Sequence, residues 1–486
     1  MRRLLLLALA VCGLAHAEPP PHLELVATPA WKGWTRHGRP TEVEIRLSAD
    51  TATRAAVELV AGRRTVHAGL DLEPRRVARL HVPVGPAESV AASVRLEGAP
   101  LLRRDIELAQ SESPLLGVGL SADDDFRLEG FHSIALSASD LPRNASAFAT
   151  VDALVLDATT LATLEPRQLD ALLGHAAACG RIVVLNADDR LRQLLQGAGG
   201  CGERALMIAA SLPQARRMLK SSLAARLPSP ASLGSVGELA RPGLVVWNRV
   251  AVLLAACFAV AILAAVMLSS WPLLLLTPAV LSAAVLGALH VMRPPSQLLV
   301  WGEGESGAQV ARYQAWQRFP GVVRERARVP IPGRLAASVG PCDADQAMRL
   351  ELDPNRGHAA SAEFDNRLFG QVALCYSGSF PMTRAMALRV RPDGSSVVRN
   401  EGPTAWPDGL LLAGGLVHGL PKLGPGAGMA FGPGTGRADR SALVRTATMR
   451  LPPDRGAALW PLELAGVVDA TVESRGWLLL TATPRP

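Results

Sequence analysis

Some residues in this 486-residue chain have types and spacings that could do chemistry. "SADDDF" puts Asp123 and Asp125 after one apolar run, "ALVLD" ends on Asp157, and "IVVLN" is soon followed by Asp188. If those runs are neighbouring strands, their carboxylates gather at the strand ends, where a hard cation such as Mg²⁺ or Ca²⁺ takes oxygen ligands. The same acids also suit loops and helix starts, and Asp188 and Asp189 are good first-turn residues. Reading them as solvated acids and caps is the simpler account, and it predicts no metal.

The thiols come next. Cys179, in "HAAACGRIVVLN", follows a helical run and precedes a strand-like one, and Cys201, in "GAGGCGE", sits the same way. In parallel α/β sheets chemistry collects at the carboxyl ends of strands, so both lie at the wrong edge for a nucleophile. Two neighbouring helix-to-strand loops can bring such cysteines within bridging distance, with a pair of inert thiols as the alternative. Just past "RIVVL" stand Asn186 and Ala187. A hydroxyl or thiolate there is the minimum for acyl transfer, and no G-x-S-x-G pattern occurs. Cys375 with His418 would be a thiol–imidazole pair, but Cys375 sits in a strand-like run with Cys342 as a disulfide candidate. The ten histidines show no paired zinc spacing. The Gly-rich run from Gly424 to Gly436 has no GK[ST] ending, so it reads as a loop and not a phosphate cradle. No cofactor and no catalytic residue is predicted.

Two kinds of element would position these groups. From 18 to 112, "HLELVAT", "TEVEIRL", "RAAVELV", "RTVHAGLDL", "RRVARLHVPV", "ESVAASVRLE" and "LLRRDIELA" alternate at short spacing, which predicts an immunoglobulin-like β-sandwich. From 113 to 230 the runs become short and continuously apolar, and helical runs such as "EPRQLDALLGHAAA" and "LPQARRMLKSSLAARL" separate the later ones. That alternation predicts an α/β domain with a parallel sheet. A linker covers 231–247. Residues 294–486 read as a β-rich domain, with a hairpin at "MALRVRPDGSSVVRN" and a last strand at "GWLLLTATP".

Composition excludes one partner class. The formal charge is +7, but the 50 basic residues are almost all Arg, Lys standing only at 32, 220 and 422. From Glu18 to Arg249 basic and acidic residues balance at 26 each. No basic stripe interleaved with aromatics appears, so nucleic acid is not an expected partner.

The start "MRRLLLLALAVCGLAHAEPP" has a basic n-region, a short apolar run and Ala15-His16-Ala17, which predicts a signal peptide over 1–17. Residues 248–293 contain two uncharged apolar runs, 250–268 and 272–292, each about 30 Å long as a helix. They predict a two-helix transmembrane hairpin with Trp271 and Pro272 at its turn. A cleaved signal and an even number of spans would export both large domains to the periplasm. One pair of cysteines in each half, Cys179 with Cys201 and Cys342 with Cys375, suits that oxidising space. Arg249 and Arg293 flank the spans on the exported side, against the usual charge bias.

The run "VDALVLDATTLATLEPRQLDALLGHAAACGRIVVLN" resembles the class I glutamine amidotransferase-like domain of exported bacterial membrane proteins from aerotolerance-type operons. Their neighbours encode a MoxR-class ATPase and von Willebrand A-domain proteins. The resemblance implies an amidotransferase- or flavodoxin-like sheet and envelope partners of that type. It implies no catalytic residue, because Asn186 stands where the nucleophilic cysteine would. The expectation is a non-catalytic inner-membrane protein acting as a scaffold or partner-binding component of an envelope maintenance or stress complex. A metal-dependent or degenerate amidotransferase-like hydrolase is the alternative. A transport-complex subunit is a third, weakened because the spans carry no interior charge and only His290 near one end.

Overall fold

The computed structural model describes residues 22–96, 101–121, 126–177, most of 180–191, 206–224, scattered positions in 255–267, and most of 296–482. Each of the seven alternating stretches before residue 112 forms a strand. Leu23–Pro29, Thr41–Ala49 and Val77–Val84 make a three-stranded antiparallel sheet. Its inward residues, Val43, Ile45, Leu47, Leu80 and Val82, are almost fully buried. Period-two alternation sends them to one face.

The opposing sheet has seven strands, and three of them come from the other end of the chain. The order runs Glu325–Pro330, His358–Asn366, Met348–Asp353, Arg64–Leu72, Thr53–Ala61, Ser89–Leu96, Leu102–Glu107. Met348–Asp353 lies parallel to Arg64–Leu72, with Leu350 opposite Val66. One core cluster therefore mixes Val57, Leu59 and Val94 with Leu298, Tyr313, Leu350 and Phe364.

A five-stranded sheet follows, all parallel, in the order His132–Ala135, Leu115–Gly119, Ala153–Asp157, Ile182–Leu185, Leu206–Ala209. The inner strands are buried on both faces, which is why they read as unbroken apolar runs. Helix Pro166–Ala177 packs on one face through Ala171, Leu172 and Ala176, and helix Leu212–Ala224 on the other through Ala215 and Leu219. The connections before Ala153 carry only the 3-10 turns Ala138–Asp140 and Ala145–Thr150 among the described residues. Sandwich residues help close the first face: Trp31 is fully buried there, edge-on to Phe148 with ring centroids 5.3 Å apart.

The rest of the C-terminal part is an eight-stranded sheet, in which Glu473–Thr481 lies parallel to Gln297–Glu305, and a three-stranded one. Met386–Val390 and Ser396–Asn400 form the hairpin read from sequence, with Asp393 accepting a hydrogen bond from the Ser395 N–H at 2.9 Å. Helix Ala442–Arg450 covers part of the larger sheet through Val444 and Ala447.

The fold class expected from sequence, four separate units including an amidotransferase-like α/β domain and a membrane hairpin, is corrected here. The described residues are mostly β, and their helices are few and short. The physical reason is tertiary: a period of two identifies strands but not their partners, so a sheet shared by residues 53–107 and 325–366 looks like two domains. Among the described residues, no α-helix follows the first two strands of the parallel sheet, as it would in an amidotransferase-like unit. The predicted spans are corrected as well, since among the described residues no helix is long and apolar enough to cross a membrane. The run 250–268 is described only in short helical pieces with exposed side chains, such as Leu263 and Met267. The signal 1–17, the linker 231–247 and the run 272–292 lie outside the described residues.

Candidate functional site

The carboxyl ends of the parallel strands come first, because open parallel sheets bind ligands where the strand order reverses. That reversal falls between Leu115–Gly119 and Ala153–Asp157. Asp157 stands at the end of its strand as the N-cap of the short helix Ala158–Ala162. One carboxylate oxygen accepts from the Thr160 N–H at 2.7 Å and the other from the Ser121 N–H at 2.6 Å. Burial pushes its carboxyl up, but the hydrogen bonds from Ser121 and Thr160 outweigh it and hold the group below its ordinary value. Asp157 thus ties the first strand's exit to the third strand's end.

Asp188 is exposed, and its carboxylate accepts from the Leu191 N–H at 2.7 Å, as a helix-start acid does. Asp123 and Asp125 lie outside the described residues. Among the described residues no group of three or more His, Cys, Asp or Glu is placed to hold a metal ion. Asn186, just past the fourth strand, takes a left-handed conformation with φ 55°. Its N–H donates to the Ala209 carbonyl at 3.0 Å, so the strained position serves the sheet edge.

Cys342 and Cys375 are joined by a disulfide that pins the end of strand Ser338–Pro341 to strand Gln371–Pro381. Cys375 is therefore no free thiol. Five strands separate His418 from Cys375 in the same sheet's order, and its ring packs on Phe431, so the two form no dyad. Cys179 and Cys201 lie outside the described residues. His175, on helix Pro166–Ala177, is half-buried, with its Nε2 shut off from solvent and its ring stacked on Phe148 at 5.4 Å. Burial, helped by the Arg39 charge, pushes its imidazole down to about 4, so the ring is a neutral core group at pH 7.

The concave feature that sequence reasoning missed lies where the three-stranded sheet meets the parallel-sheet unit. It is a cleft of about 280 Å³, lined on one side by Glu42, Glu44, Arg46, Arg79 and His81 and on the other by Arg143, Glu165 and Gln168. The first group comes from two paired strands, with Glu44 directly opposite His81. Glu44 is paired with Arg46 at 2.7 Å and faces Arg79 at 4.0 Å. Burial raises the Glu44 carboxyl, yet the Arg46 hydrogen bond and the charges of His81, Arg46 and Arg79 bring it below its ordinary value. Glu165 pairs with Arg143 and, at 3.7 Å, with Arg79. Glu42 is 2% exposed. Its Oε1 accepts from the Arg143 backbone N–H at 2.9 Å and faces His81 Nδ1 at 3.1 Å. Among the described residues its Oε2 is buried without a hydrogen-bond partner, as is His81 Nε2, which lies 3.7 Å from Glu44.

The signal for this cleft was the pattern "EVEIR" facing "RLHV", which is visible only once strands 41–49 and 77–84 are paired. The arrangement offers carboxylates, guanidinium groups and one imidazole in a small recess. It can bind a polar group.

No protein-family model matches this chain, and no curated protein matches it. Among solved structures, it aligns with a cycloisomaltooligosaccharide glucanotransferase from Paenibacillus sp. complexed with cycloisomaltoheptaose, at 9% identity over 27% of this chain and 20% of that one, TM-score 0.17. A second alignment is with the yeast delta-COP-I mu-homology domain complexed with a Dsl1 WxWxV peptide, at 8% identity over 39% of this chain and 94% of that one, TM-score 0.17. The chain spans about a fifth of the first of these proteins. At these scores neither likeness transfers a fold or an activity to this chain.

Proposed function

We propose that the protein is a non-catalytic, partner-binding scaffold on the periplasmic side of the bacterial inner membrane, a component of an envelope maintenance or stress complex. The observation that carries the reading is Asp157. At the place where a parallel sheet would present chemistry, both its oxygens are committed to backbone N–H groups at 2.6 and 2.7 Å. One oxygen of the exposed Asp188 likewise accepts from a backbone N–H, that of Leu191. The Cys342–Cys375 bridge supports an oxidising compartment. Partners of the MoxR ATPase and von Willebrand A type are proposed from the resemblance of residues 151–186 alone.

Replacing Asp157 and Asp188 with Ala, separately, tests the reading in cells. Unchanged in-cell function in variants that accumulate as folded protein supports the scaffold. Loss of function in a variant that still folds overturns it in favour of strand-end chemistry. Co-purification from gently solubilised envelopes then identifies the partner.

A further inference from the structure

In the cleft between the sandwich and the parallel sheet, three arginines match three glutamates in number, but one carboxylate oxygen is left without a partner among the described residues. The cleft's three guanidinium groups are already engaged: Arg46 with Glu44, Arg79 between Glu44 and Glu165, and Arg143 with Glu165. Among the described residues, its third carboxylate, Glu42, has no cation beside it except His81, and one of its oxygens is both buried and unpartnered. A buried acceptor left unmade is costly, and a buried carboxylate more so. The group absent from this set is therefore a positively charged donor.

We infer that this cleft is a binding site for a compact monocation, a primary ammonium or guanidinium group, held by Glu42 through its unpartnered oxygen. An anion is disfavoured because the arginines are already paired and Glu42 would repel it. A metal is disfavoured because the described His and carboxylate groups do not converge on one point. The recess of about 280 Å³ sits at the lower end of ligand-pocket volumes, which suits a side-chain tip or a small amine. Because Glu42 and His81 belong to the sandwich while Arg143, Glu165 and Gln168 belong to the parallel-sheet unit, the bound cation would join the two. Ser139 and Thr163 stand exposed among the lining residues, so the mouth is open to solvent. This site stands independently of the scaffold reading.

The cation can come from a free small molecule or from a basic side chain of another protein, and calorimetric titration of the full chain separates the two. Methylguanidinium chloride and ethylammonium chloride probe the first source, acetyl-Gly-Arg-Gly-amide the second, each against sodium chloride at equal ionic strength. Saturable binding by the small cations assigns the site to free amines or guanidines, and binding by the peptide alone assigns it to a protein side chain. Glu42→Gln should weaken either by at least about tenfold, since it replaces a charge-assisted hydrogen bond with a neutral one. If Glu42→Gln does not fold, Thr163→Trp carries the test: it blocks the mouth from an exposed position and should abolish binding with unfolding unchanged. The inference is overturned if no probe binds above the salt control, if acetyl-Gly-Gln-Gly-amide binds as tightly as the Arg peptide, or if folded Glu42→Gln or Thr163→Trp binds like the parent.

Discussion

The indole N–H of Trp31 donates to the backbone carbonyl of Ala147 at 3.0 Å, and that bond crosses from the sandwich to the parallel-sheet unit. Trp31 is 0% exposed and sits in a turn where it and Lys32 both have positive φ. The backbone strain is sustained by the burial of a large ring. Arg36 and Arg39 reinforce the same seam by pairing with Asp152 at 2.8 and 2.9 Å, and Asp152 also accepts from the Leu115 N–H.

Trp31→Phe keeps most of the ring and loses the hydrogen bond, so it should lower unfolding stability by about 1–3 kcal/mol, the cost of a bond removed with its acceptor left buried. Trp31→Ala leaves a cavity as well and should cost about 3–5 kcal/mol. Urea unfolding of the full chain measures both. A Trp31→Phe variant as stable as the parent would show that the bond contributes nothing.

Asp157→Ala removes an N-cap and a tie between two strand ends, and should destabilise by about 1–2 kcal/mol. Its folded carboxyl lies below its ordinary value, so the stabilisation is present above the unfolded value and is lost as pH falls through the folded one. The gap between parent and variant should therefore close on acidification. Equilibrium unfolding between pH 7 and pH 3 checks this, and a gap that widens toward acid contradicts the assignment.

His175 gives the opposite substitution with a related pH signature. Its folded value is pushed to about 4 from an ordinary 6.5, so the unfolded chain binds the proton first. Stability is full above the unfolded value and declines as pH falls toward the folded one. A difference of that size corresponds to about 3 kcal/mol. His175→Phe keeps an aromatic ring against Phe148 and should flatten the stability profile between pH 6.5 and 4. An unchanged slope would mean that the imidazole reaches solvent.

The Cys342–Cys375 bridge closes a sequence separation of 33 residues. Chain-entropy reasoning gives a stabilisation of about 3–4 kcal/mol for a loop of that length. Cys342→Ser with Cys375→Ser should lower the unfolding free energy by that amount, and a reductant should do the same to the parent. Reductant sensitivity that persists in the double variant would place the labile bond elsewhere.

The strands of the sandwich were legible because each carries its own evidence: in Thr41–Ala49 every second residue from Val43 onward is apolar and buried. Pairing at long range was not. Nothing in "MRLELD" announces that it will lie beside "RTVHAGL", because a parallel edge joined across the chain leaves no turn and no local pattern. The Glu42 cleft was hidden for a different reason. Alternation in "TEVEIRL" assigns Glu42 to the outer face of its sheet, and only the docking of Leu141, Arg143 and Gln168 over that face turns an outward carboxylate into a buried one. The acids at 157 and 188 could be located from sequence, but what occupies their oxygens depends on N–H groups whose positions only the folded backbone sets.

His67 and Arg349, 282 positions apart, face each other across the parallel join of the seven-stranded sheet. During synthesis or translocation, the Arg64–Leu72 strand emerges long before the segment that completes it. Until then one row of its amide and carbonyl groups is an open template on which any other extended chain can dock. Assembly must wait for Met348–Asp353, so the newborn polypeptide passes through a sticky, half-built stage whose duration is set by the stretch of chain between the two strands. A cut that removes Met348–Asp353 leaves that template permanently uncovered.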